Sequence, residues 1–456
     1  MINPLLKIAL TLLCAVAYYG HYLEFRVFMA TLIAVAAIDF VRPLLLRNYF
    51  MVYLYLVFII GGGFFYPDVK EVRTDMVVYC AAFIAGYIVY RLLPKNRTVV
   101  AGISIADDNI VSLQRLILFL FLIKMILLVN DIRIYGIEEY YSGRVLTELI
   151  ETYGKYDVSA GVLTIVHNVI NIAGLAAIVL YVRRCLVLGK KLNYGIITLY
   201  LLVLPLLYLQ RSPFAINFIM LILIYSLDKG RAMHLFRAMA IGIGAIVVIG
   251  VMIGLLRQSK LTADPNEDLA RIEQAGSILM GELSPIIAYY EIKTNIDKLH
   301  YQYGSTILLP LVYKMIPRNL MPDKPINSGA YYMGVLRSDE SERGFYLDTT
   351  FLGDIYLNFG YLGSIIGCCI MGLLCAGFDK KYLRGTLPYS PMYMIMFYYF
   401  YVILRSNLSN SLILILLTMA MYLLQVQIFD GTLARMVLGR QVTRGKHVPV
   451  GKTSVR

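Results

Sequence analysis

The chain has 456 residues, of which 59% are hydrophobic and only 16% charged, with a net charge of +13. A soluble domain carries about a quarter of its residues as charges, so this composition excludes a surface built mainly for water. The positive balance does not indicate nucleic-acid binding either, because the basic residues lie in short segments between apolar runs.

In chain order, apolar segments suited to crossing a bilayer lie near 5–20, 27–41, 49–66, 76–93, 113–130, 159–182, 195–209, 213–227, 238–256, 351–377, 391–404 and 411–428. The first is followed by no small-residue cleavage site and reads as a retained span. Basic clusters at Arg42–Arg47, Arg91–Arg97, Arg183–Lys191, Lys229–Arg237 and Lys380–Arg384 fall on connections of one parity, and so does the tail from Arg435 to Arg456. The positive-inside rule assigns that side, and both chain ends, to the cytoplasm. The expected fold is an all-α polytopic membrane protein of about twelve spans. Nine helices occupy 1–256, including an outer loop at 131–158. A large outer loop fills 257–350, the last three helices fill 351–430, and a basic cytoplasmic tail closes the chain at 431–456.

Long outer loops are where function concentrates. The larger one has helical periodicity from Leu269 to Tyr290, then a proline-punctuated stretch from Ile316 to Pro325 that reads as a rigid irregular segment. Four arginines break the charge rule by standing on the outer side. These are Arg211 in the turn QRSP, Arg257 after the ninth span, Arg318 in the proline-rich stretch, and Arg405 in the turn RSNLSN. Each sits near an apolar end, where an embedded cation costs about 2–3 kcal/mol. The planar guanidinium stays charged and grips phosphate with two parallel bonds, so the four together suit one anionic group at the outer face. The alternative is that each snorkels to lipid phosphate or pairs with a nearby acid.

Glu282, Asp348 and Asp354 are the candidate general bases on the outer side. Asp354 lies inside the tenth span, so it requires a partner or a role; an ion pair with an arginine is the competing reading. His167, within the sixth span, and His300, in the large loop, read as satisfied structural residues. Tyrosine is abundant, with 37 residues against no tryptophan. Tyr140–Tyr141, Tyr289–Tyr290, Tyr301, Tyr303 and Tyr331–Tyr332 fall in outer loops, where they form an interfacial belt or stack on sugar rings. The six cysteines have neither metal-ligand spacing nor a place in an outer loop, so neither a metal site nor a disulfide framework is expected.

Four stretches, LYLQRSPFAINFIM around Arg211, IPRNLMPDKP with Arg318 and Lys324, TTFLGDIYLNFGYLGSIIG, and LRSNLSN with Arg405, resemble bacterial O-antigen polymerases of the Wzy type. The plan of spans with one dominant outer loop fits that family along nearly the whole chain. The resemblance implies a membrane-embedded C-type, metal-independent, inverting glycosyltransferase that needs no cofactor, in the bacterial inner membrane. Its donor and acceptor would both be undecaprenyl-pyrophosphate-linked glycans, with a chain-length regulator as a further partner and no nucleic acid. Arg211, Arg318 and Arg405, with Arg257 and Lys324 nearby, would hold the departing pyrophosphate. The family supplies no plain motif for the base. A ligase that moves finished glycan, with His300 as its base, and a lipid-linked oligosaccharide flippase are the competing functions.

Overall fold

The computed structural model describes residues 45–46, 70–92, 109–135, 158–208, 211–229, 285–313, 321, 324–339, 348–383 and 391–429. The expected spans at 5–20, 27–41, 49–66 and 238–256 and the tail at 431–456 lie outside these residues, as do Arg257, Glu282 and Arg318. Every regular element among the described residues is helical. In chain order they are α1 (Lys70–Leu92), α2 (Asn109–Tyr135), α3 (Val158–Leu188), α4 (Tyr194–Leu207), α5 (Arg211–Asp228), α6 (Pro285–Thr294), α7 (Ile296–Leu299), α8 (Ser305–Tyr313), α9 (Ser328–Leu336), α10 (Thr350–Leu383), α11 (Pro391–Arg405) and α12 (Leu408–Phe429).

Four stretches within α2, α3, α10 and α12 are long and apolar enough to cross a bilayer. The faces of α2 and α10 are ordered inside out. Along the middle of α2, from 118 to 129, the exposed side chains are Leu118, Phe119, Leu122, Ile126 and Val129, while the buried side carries Lys124, and Asp131 beyond it, among apolar residues. Along α10, Phe359, Leu362, Ile366, Ile370 and Leu374 are exposed, whereas Asp354, Asn358, Ser364 and Asp379 are fully buried. Water would favour the reverse arrangement. Apolar stripes outward and polar groups inward are the pattern of helices solvated by lipid, and the chain is of helical membrane type.

α3 is buried on all sides from Leu175 to Val182, so it runs through the centre of the packing. Tyr200, in a π-helical turn at Leu199–Val203 of α4, lies over Gly174 of α3 and donates to Ile170 O at 3.0 Å. The closest helix pair is α1 with α10, which meet backbone to backbone. A Cβ added at Gly86 would stand 2.0 Å from Cys369 O, and one added at Gly372 would stand 2.0 Å from Phe83 O. Small residues allow this approach, and in a bilayer the resulting van der Waals contact is a main source of helix association.

α10 is 34 residues long, about 51 Å if straight, well beyond the ~30 Å of a hydrocarbon core. It breaks at Gly360, whose φ of 67° and ψ of −163° only glycine adopts readily. The break frees two carbonyls. Leu357 O accepts from Gln302 N and Asn358 O from Tyr303 N, each at 3.0 Å, so the segment before α8 is stitched to the kink. The described part of the 257–350 segment is therefore largely helical and attached to α10, as α6–α9. Of the proline-rich stretch at 316–325 only 321, 324 and 325 are described, all outside regular structure, and extended Asn327 caps α9 by accepting from Ala330 N at 2.9 Å.

Candidate functional site

The α11–α12 turn and the first turns of α10 meet in one polar cluster. Arg405 ends α11 and Asn407 precedes α12. Asn407 Nδ2 donates to Asp348 Oδ1 at 2.9 Å, and Asn407 Oδ1 receives the Thr349 hydroxyl at 2.7 Å. The Arg405 guanidinium is near enough for its charge to act on the Asp348 carboxyl. Burial raises that carboxyl above the ordinary aspartate range, and hydrogen bonding from Ser406, the Arg405 charge and the Asn407 N–H oppose the rise. Asp348 is half-buried.

Asp354 is one turn into α10 and fully buried. Its carboxylate accepts from Leu408 N, the first residue of α12, and lies against the Thr349 hydroxyl, with Ser328 also in reach. It therefore caps the amino end of a 22-residue helix, where a negative charge satisfies free N–H groups and the helix dipole. The expected arginine partner is replaced by these donors. No face of Asp354 is open to a substrate in this conformation, so anchoring is its role here.

The cluster continues behind Asp354. Asn358 Nδ2 donates to Asp354 O at 2.7 Å and to Thr306 Oγ1 at 2.9 Å, while Asn358 Oδ1 accepts from Gly304 N at 2.9 Å. Ser328 Oγ closes on Thr306 Oγ1 at 3.1 Å. α8, α9, α10 and α12 are thus held by one set of buried polar contacts. Thr350, between the two aspartates' elements, has φ 65°, which a β-branched residue rarely adopts. Strain of this kind persists only where surrounding contacts over-determine it.

Of the residues singled out in the sequence, Asp348, Asp354 and Arg405 come together here. Arg211 opens α5, and α5 packs against α11, the helix that Arg405 closes. Lys324 is half-buried on the extended lead into α9, four positions before Ser328. The uncharged partners Thr306, Ser328, Thr349, Asn358 and Asn407 were not singled out; their one visible signal is polarity inside or beside apolar runs.

Two other expectations are resolved. His167 is held between Lys124 Nζ at 3.1 Å and Asp131 Oδ2 at 3.3 Å, a satisfied residue of a buried ionic set linking α2 and α3. Tyr289 and Tyr332 are fully buried, the former donating to Asp75 Oδ2 at 3.0 Å and the latter to Glu291. Neither can stack on a sugar; Tyr301 and Tyr303 are exposed. His300 is exposed at the end of α7. Among the described residues, no three His, Cys, Asp or Glu side chains converge as a metal site would require. No sequence family, curated protein or solved structure matches the chain.

Proposed function

We propose that the protein polymerises undecaprenyl-pyrophosphate-linked oligosaccharide repeat units by inverting glycosyl transfer at the periplasmic face of the bacterial inner membrane. In this reading the chain has about twelve spans, with both ends in the cytoplasm and the 257–350 segment entering from the outer side. What carries it is the pairing of a half-buried carboxylate of raised basicity, Asp348, with the cation Arg405 at the junction of three helices.

Asp348 accepts the proton of the acceptor sugar hydroxyl as its oxygen attacks the donor's anomeric carbon. The bond between that carbon and the lipid diphosphate breaks, and the diphosphate leaves with growing negative charge. Arg405, with Arg211, Arg257, Arg318 and Lys324 as the further proposed cations, receives that charge; cations held ready before the reaction need little reorganisation in the transition state. When Arg405 engages the diphosphate it screens Asp348 less, and the base strengthens as the substrate binds.

Surface glycan from a deletion strain tests the reading on one gel. Single repeat units on the final carrier are the expected result, with ladders restored by the wild-type gene and not by Arg405→Ala. Long lipid-linked chains that never reach the carrier would assign a ligase instead.

A further inference from the structure

We infer that α8 lies within the bilayer, not over it, with Leu308, Leu309 and Val312 among the lipid acyl chains. Three independent observations lead there.

The first is continuity. These three side chains are exposed by 59%, 42% and 67%. They do not form an isolated patch, because a Cβ at Gly304 would touch Phe359 and Leu308 at 3.3 and 3.4 Å. Phe359 heads the exposed stripe of α10 that runs on through Leu362, Ile366, Ile370 and Leu374. The exposed face of α8 therefore extends the face that α10 offers to lipid.

The second is the order of side chains leading into the helix. Asp297, Lys298 and His300 are exposed and polar, Tyr301 and Tyr303 are exposed aromatics with a polar tip, and the exposed residues after them are purely apolar. Water, interface and hydrocarbon select those three classes in that sequence.

The third is the backbone. Unpaired N–H groups are not tolerated in hydrocarbon, and irregular chain survives there only where the protein satisfies it. Gln302 N and Tyr303 N donate to the carbonyls freed at the α10 kink, Gly304 N donates to Asn358 Oδ1, and Ser305 N and Leu308 N donate locally at 2.8 Å each. Pro310, inside α8, removes one further donor. Such a segment can enter the bilayer with these N–H groups already paired.

The consequence is positional. Thr306, at the start of α8, belongs to the buried cluster around Asp354, so an embedded α8 sets that cluster at the depth where a lipid-borne anion enters sideways from the membrane.

The absence of tryptophan from the chain makes the test direct. Leu308→Trp and Val312→Trp each place a sole indole on α8. Leu362→Trp marks lipid and Lys298→Trp marks water. In liposomes, with folding checked by monodisperse elution, the α8 indoles are expected to match Leu362→Trp: blue-shifted emission, loss of fluorescence with brominated acyl chains, and no loss with aqueous iodide. Quenching by iodide at the level of Lys298→Trp would overturn the inference, because the face would then be in water. Protection from both quenchers would overturn it too, because a second copy or another protein would then cover the face.

Discussion

Two aspartates six residues apart stand in opposite surroundings, and the proposed mechanism gives them different work. Asp354 is sealed, with both oxygens engaged. Asp354→Ala would leave the half-buried Leu408 N–H without its acceptor and cost about 1–3 kcal/mol. A lower melting temperature in detergent is the expected readout, and an unchanged one would remove Asp354 from its anchoring role. Asp348, half-buried, is the proposed base, and its raised pKa sets the sign of the pH effects. As a base it works once deprotonated, so the rate climbs with pH through that raised value. The Ser406 hydrogen bond favours the charged form. Ser406→Ala should therefore move the acid limb of the pH–rate profile upward while sparing the rate at alkaline pH. An unmoved limb would separate Ser406 from the base. For stability, the raised pKa means that the contribution of Asp348 is present below the ordinary aspartate range and lost as pH rises through the native value. Asp348 and Arg405 were legible because a charge beside apolar sequence demands an explanation. Thr349, Asn407 and Ser328 were not, since uncharged polar residues beside helix ends also read as ordinary caps. The Lys124–His167–Asp131 set was hidden for another reason: its members are brought together only when α2 meets α3.

Helix positions followed from hydropathy where the apolar run itself was long. The runs at 113–130, 159–182, 391–404 and 411–428 fall within α2, α3, α11 and α12. The structured ends run beyond them because backbone hydrogen bonding continues past the last apolar residue. The run at 351–377 hid the break at Gly360, because a glycine among apolar residues leaves hydropathy unchanged. Nor did it disclose that Gly86 and Gly372 are contact points. Gly360→Ala is expected to cost about 1–3 kcal/mol for the strained backbone alone. Gly372→Leu should be worse, because its side chain would have to displace the backbone of α1. Loss of the monodisperse peak in fluorescence-detected size exclusion checks this, and a normal peak would mean that α1 and α10 can separate without harm. α4, which holds the expected span at 195–209, is 14 residues and about 21 Å long, short for the ~30 Å hydrocarbon core. Its packing on Gly174 of α3 and its π turn place it inside the helix assembly.

At the scale of the whole molecule, composition alone selected a lipid-solvated protein, and the inside-out faces of α2 and α10 bear out that class. Charge parity carries the proposed count of spans and the orientation. The catalytic proposal rests on Asp348 facing Arg405 beside the cap of α12. Purified protein in liposomes, given only lipid-diphosphate-linked repeat units, is the most direct measurement of that claim. The account predicts a ladder of lengthening glycan from the wild type and none from Asp348→Asn of equal thermal stability. A ladder of the same length and rate from Asp348→Asn, or none from the wild type, would contradict it.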